Sequence, residues 1–153
     1  MYELRIFDMD NERRSTISNC EIINAFDKVE ANITKGEWSL FKGAYGYGEY
    51  ICSLEDELRD KYMITVDGNT LFDIIKLNEE YFFHVHLHKC HTDIQFGLFD
   101  STFYFVRSEN SAFLKKLQLL FKNTCLTKVD IGSIHPPYTP YPDKSTTTSF
   151  KQQ

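Results

Sequence analysis

A chain of 153 residues and 18.0 kDa is the length of one domain and long enough to bury a core without disulfide or metal staples. Its 42% apolar and 25% charged residues exclude a wholly disordered chain, and its 15% aromatics (thirteen Phe, nine Tyr, one Trp) are a heavy complement. Seventeen Lys and Arg against 22 Asp and Glu leave a net charge of −5, which argues against a nucleic-acid binder and favours a basic partner.

Residues 2–8 alternate as a strand with Tyr2, Leu4 and Ile6 inward, and Asn11 to Thr16 follow as a polar loop. Ser18 and Glu21 form a capping box. Behind it Ile22, Ile23, Phe26, Val29 and Ile33 fall on one helical face, predicting a helix over 19–35 that Gly36 ends. Residues 37–50 carry Trp38, Phe41, Tyr45, Tyr47 and Tyr50 among three glycines, which predicts a loop or irregular strand. Ser53 to Tyr62 reads as a short acidic helix or a surface turn. Asp67-Gly68-Asn69 is a turn signal, and Thr70 to Leu77 a short helix.

From Glu80 to Val106 the period becomes two. Three adjacent strands, the last pair joined at Asp100-Ser101, predict an antiparallel meander over about 80–106. Ser108 is placed to cap a helix over 109–123 with Phe113, Leu114, Leu117, Leu120 and Phe121 on one face, and Cys125 to Ile134 offers a last strand. All four prolines fall within residues 136–142, so 135–153 reads as an extended or disordered Pro-rich tail behind a single domain over 1–134. The expected fold class is α+β, a mainly antiparallel sheet with amphipathic helices on one face.

The first residues lack a basic segment followed by an apolar one, and no apolar run approaches the ~20 residues of a membrane span. The expectation is a cytoplasmic protein without a membrane partner. Cys20, Cys52, Cys90 and Cys125 have no metal or disulfide spacing and are expected to be reduced and mostly buried.

Two segments bear on catalysis. His84, His86 and His88 would stand on one strand face about 7 Å apart, a way to present imidazoles to zinc. A metal-dependent hydrolase is therefore the alternative reading. The preferred one is a solvent-facing histidine row, with Tyr81, Phe83, Val85 and Leu87 towards the core; no cofactor is called for. Leu4 to Asp10 is similar to the first motif of haloacid-dehalogenase-type phosphatases, which implies Asp8 as nucleophile and Asp10 as general acid. The text departs from that motif at Asn11 and Glu12, and those enzymes need a parallel doubly wound sheet. A strand running out into an acidic loop is the reading kept.

Asp93 to Phe121 runs strand, tight turn, strand and amphipathic helix, preceded by Val66-Asp67-Gly68 with Leu71 and Phe72. Over roughly residues 63–121 this resembles small bacterial immunity proteins of polymorphic and contact-dependent toxin systems. The resemblance implies a non-enzymatic protein that binds and neutralises a cognate toxin. An acidic chain suits a basic nuclease toxin, with carboxylates steering association and aromatics anchoring it. The candidate contacts are Trp38, Tyr45, Tyr47 and Tyr50 together with Glu55, Asp56, Glu57 and Asp60. A generic interaction module, with the Pro-rich segment as a polyproline ligand, is a further reading.

Overall fold

The computed structural model describes residues 1–8 and 18–130. The expected loop at 11–16, Asp10 and the Pro-rich tail lie outside the described residues. Strand β1 (Tyr2–Ile6) alternates as its sequence requires, with Leu4 and Ile6 buried on one face. Ser18 then starts helix α1 (Asn19–Val29) with a complete capping box: the Glu21 amide donates to Ser18 Oγ at 3.2 Å, and the Ser18 amide to Glu21 Oε2 at 2.8 Å. The helix stops at Val29, short of the expected 35. Glu30 is already extended, and Asn32 turns the chain at φ 66°. Asn, Ile and Thr at 32–34 are weak helix formers, yet Ile33 still reaches the core from the turn.

The segment expected to be irregular instead holds a regular strand β2 (Glu37–Phe41), a short strand β3 (Tyr45–Tyr47) and helix α2 (Glu49–Leu58). Strand β4 (Met63–Asp67) follows and ends where Asp67 caps helix α3 (Gly68–Lys76), its carboxylate accepting from the Thr70 amide at 3.3 Å. The expected turn at 67–69 is thus a helix start. The meander is present as β5 (Tyr81–Lys89), β6 (Gln95–Phe99) and β7 (Phe103–Ser108). Asp100 (φ 49°) and Ser101 (φ 60°) are the central residues of the β6–β7 turn, which the Thr102 amide closes on the Phe99 carbonyl at 2.8 Å. Asn110 rather than Ser108 caps α4 (Ser111–Gln118), which ends before Leu120 and Phe121, and β8 (Thr124–Lys128) closes the described chain.

The strands form one antiparallel sheet in the order β4-β2-β5-β6-β7-β1-β8, with β3 pairing β5 beside it. The fold is α+β. This topology removes the phosphatase reading, which needs a parallel sheet. Asp8 accepts from the Lys122 and Asn123 amides at 3.3 and 2.8 Å and so ties the end of β1 to the chain after α4.

One face of the sheet carries Leu4, Trp38, Leu87, Phe96 and Val106, and packs with Phe26, Ile51, Leu71 and Leu114 of the four helices into a single core. The opposite face is unusual. An antiparallel sheet commonly turns such a face to water, but here Glu3, Ser39, His86, His88, Gln95 and Arg107 are buried. Phe41, Phe103 and Phe105 are buried beside them, outside the helix-packed core. The histidine strand is therefore not solvent-facing as expected.

Candidate functional site

Across the second face, residues from four strands join in one polar chain. Arg107 Nε donates to Glu3 Oε2 at 2.7 Å and Arg5 Nε to Glu3 Oε1 at 2.6 Å. Arg107 also donates to Gln95 Oε1 at 3.3 Å, and that oxygen lies 2.6 Å from His86 Nε2. Arginine only donates, so the Gln95 oxygen accepts from both sides and His86 carries its proton on Nε2. Burial, and then the Arg107 charge, push the His86 pKa down to about 3. His88 donates from Nε2 to the Thr92 carbonyl at 2.7 Å, and burial lowers its pKa as well. His84 Nδ1 accepts the Asp100 amide at 3.2 Å. Each of the three imidazoles thus commits a ring nitrogen to a protein partner. Among the described residues, no three His, Cys, Asp or Glu side chains are grouped to hold a metal ion.

At one end of the sheet, β3 lies against the start of β5, and the pairing skips Phe83: Tyr45 faces His84, whereas Gly46 faces Phe82. This bulge changes which side chains point outward. Phe82 enters the core, while Tyr81 and Phe83, expected inward, are each 37% exposed. They join Tyr45 (41% exposed) and Tyr47 (60%). The rings run in one row: Tyr47 stacks on Tyr81 at 5.4 Å, Tyr81 meets Phe83 edge-on at 5.4 Å, and Phe83 meets Tyr45 at 5.8 Å. Tyr45 then lies parallel to His84 at 6.1 Å. The Tyr45 hydroxyl donates to the Asp100 carboxylate, a bond that raises the phenol's pKa. Tyr81 and Phe83 escaped sequence reasoning because three consecutive aromatics have no period. That break in alternation was itself the signal of a bulge.

Helix α2 leaves this ribbon through Gly48, bringing Glu49 beside Tyr47. From Glu49 to Glu57 the helix advances about 12 Å from the ribbon; along and just beyond it Asp56, Glu57 and Asp60 are exposed and Glu55 is half-buried. Loss of some hydration against the helix, and then the Glu55 and Asp56 carboxylates, raise the pKa of the exposed Cys52. Burial, followed by Asp67, Glu57 and Glu80, raises that of the half-buried Tyr50. Asp56 is paired with Arg59 at 2.7 Å, which leaves Glu57 and Asp60 as the more available charges. Trp38 does not belong to the surface. It is 1% exposed, packs edge-on against Phe72 at 5.1 Å, and donates its indole N–H to the Thr34 carbonyl at 3.2 Å. Its place in the sheet, not beside the glycines, decides this.

The cysteines are free thiols, but Cys52 and Cys125 are exposed and Cys20 and Cys90 half-buried, so the expectation of mostly buried thiols fails. Among the described residues, no helix is long and apolar enough to cross a membrane.

No family model, curated protein or solved structure matches this chain.

Proposed function

We propose that this chain is a non-enzymatic immunity protein that acts in the cytoplasm by binding and neutralising a cognate bacterial toxin. One observation carries the reading: four exposed aromatics, Tyr45, Tyr47, Tyr81 and Phe83, form a continuous row beside an acidic helix. Scattered exposed aromatics are ordinary, but a row of rings held by mutual stacking is a preorganised anchor. Carboxylates at its margin steer a cationic partner and cost little in desolvation while they stay at the rim. The resemblance over roughly residues 63–121, carried by Val66-Asp67-Gly68 with Leu71 and Phe72 and by Asp93 to Phe121, supports the same reading. A basic nuclease domain is the partner this surface suits best.

The test is survival. Toxic domains encoded beside this chain are co-expressed with it, and one of them should be tolerated only in its presence. Tyr47→Ala and Tyr81→Ala should weaken protection while circular dichroism stays that of the parent. If no such domain is neutralised, or if protection ignores both substitutions, the proposed function or its surface is wrong.

A further inference from the structure

Among the described residues, three strands have a neighbour on one side only: β3, β4 and β8. A sheet edge presents a row of backbone N–H and C=O groups to any other strand, and proteins blunt such edges with a bulge, a proline, a lysine or a covering element. Strand β3 carries its bulge, and β8 ends in Lys128. Strand β4 has none of these. It reads Met-Ile-Thr-Val-Asp, pairs with β2 through five residues without a break, and leaves Thr65 and Asp67 exposed. Its one charge, Asp67, is engaged in capping α3. That helix turns inward: Phe72 packs on Trp38 of β2 and Phe96 of β6, at 5.1 and 6.3 Å, and so away from the β4 edge.

Which backbone groups face outward follows from the ladder. The Lys42 amide donates to the Tyr62 carbonyl at 2.8 Å and the Gly68 amide to the Gly36 carbonyl at 2.7 Å, one at each end of the β2–β4 pairing. Residues alternate along an antiparallel ladder, so Ile64 and Val66 bond to β2, while the N–H and C=O groups of Met63 and Thr65 point away from it. The Asp67 amide faces the same way, and its carbonyl begins α3. The edge is therefore a rail centred on Thr65, and that rail is self-complementary. Turned about a two-fold axis through Thr65, β4 of a second copy sets Thr65 against Thr65, Ile64 against Val66 and Met63 against Asp67. About four backbone hydrogen bonds form: two between the threonines, and one from each Asp67 amide to the opposite Met63 carbonyl. Threonine pairs and β-branched pairs are favourable cross-strand neighbours. The exposed Lys61 of each copy comes diagonal to Asp67 of the other, so opposite charges meet twice.

We propose that two copies of this chain associate through β4, whose antiparallel pairing about Thr65 joins their sheets into one. The contact is isologous and closes after two copies, so the undefended edge is used up rather than left to recruit further chains. The outer edges of the joined sheet are then the two β8 strands, each with its lysine. This inference does not rest on the toxin-binding reading, whose aromatic row lies on β3 and β5.

The test is self-association of the full chain, followed by sedimentation equilibrium up to about 1 mM, because so small a contact falls at the weak end of specific interfaces. The parent should reach a dimer and go no further. Thr65→Lys and Thr65→Asp each set like charges opposite one another, on Cα atoms about 5.5 Å apart, and each variant alone should be monomeric. Both should keep the parent's circular dichroism, since the Thr65 side chain is exposed. Mixed in equal amounts, the two variants should associate again as a heterodimer, which only a contact that sets position 65 against itself allows. A parent that stays monomeric overturns the proposal, even if a strand of another protein is found on this edge. Variants that dimerise as the parent does place the contact elsewhere and overturn it too, as does a mixture of folded variants that stays monomeric. Should either variant misfold, hydrogen exchange of the parent decides. The Thr65 and Asp67 amides should exchange about tenfold more slowly in concentrated than in dilute protein, and unchanged exchange at both overturns the proposal.

Discussion

Glu80 caps the helix that Gly48 begins. The glycine has no side chain to offer the first turn of α2, and Glu80 Oε1 accepts the Ile51 amide at 3.1 Å in its place. The two residues are matched in shape, because a Cβ at Gly48 would lie 2.1 Å from that same oxygen, and Gly48 sits at φ 122°. This joint sets how the aromatic ribbon meets the acidic helix. Gly48→Ala should cost about 2 kcal/mol or more, from strain and displacement of the carboxylate. Glu80→Ala should cost about 1 kcal/mol, the usual worth of a cap. Because both changes disturb one contact, the double variant should be less destabilised than the sum. Strict additivity in urea denaturation would refute the coupling.

The Glu3–Arg107 pair has no route to water, with side chains 1% and 0% exposed. Glu3→Gln should destabilise by about 3 kcal/mol, since it leaves the Arg107 guanidinium buried without its counter-charge. Replacing both by methionine should cost less than that single change, because an apolar pair needs no compensation. A double variant worse than the single one would mean that the polar row is needed as a whole, through Arg5 and Gln95 as well.

Acid should weaken the fold through His86. Its folded pKa of about 3 lies below the ordinary value of 6.5, so between those limits the unfolded chain binds a proton that the folded chain refuses. Stability from this group is complete above pH 6.5 and falls as the pH drops towards 3, with a slope of about 1.4 kcal/mol per unit. His88, also lowered, adds in the same direction. His86→Phe, which keeps a ring against Phe41 and Phe105, should reduce the slope over pH 4–6 by about one proton. Denaturation curves at stepped pH measure it, and an unchanged slope would contradict the assignment.

If the toxin reading holds, the two halves of the proposed surface should divide the kinetics. Glu55, Asp56 and Glu57 changed together to Gln should slow association and flatten its salt dependence, since steering is screened beyond about 8 Å at physiological ionic strength. Tyr47→Ala should instead shorten the complex's lifetime, because anchor losses act mainly on dissociation. Its stability cost should stay below about 1 kcal/mol, the worth of one exposed ring pair. Parent-like rates from both variants would remove this surface from consideration.

Much of the fold was legible wherever the signal is local. The Ser18–Glu21 box, the three strands of the meander after Glu80 and the Asp100-Ser101 turn all depend on residues within a few positions of one another, and each stands where the text puts it, although the inward and outward faces read for Tyr81 to His88 do not. Strands β2 and β4 were not legible. Trp38-Ser39-Leu40-Phe41 is buried at nearly every position because it lies between β4 and β5 in the sheet, and a central strand has no alternation to betray it.

The sequence by itself determined the class of fold, an acidic surface and the presence of candidate aromatic anchors, because composition, capping and period are properties of short segments. Only the tertiary structure decided which aromatics face out, through one skipped residue at Phe83 that turns Tyr81 and Phe83 to the surface and Phe82 inward. It likewise converted alternating polar residues, which read as a wet face, into a buried row. Glu3 and Arg107 stand 104 positions apart, and only strand pairing brings them within 2.7 Å. Such pairings are set by the register of the whole sheet, which no local window of sequence contains.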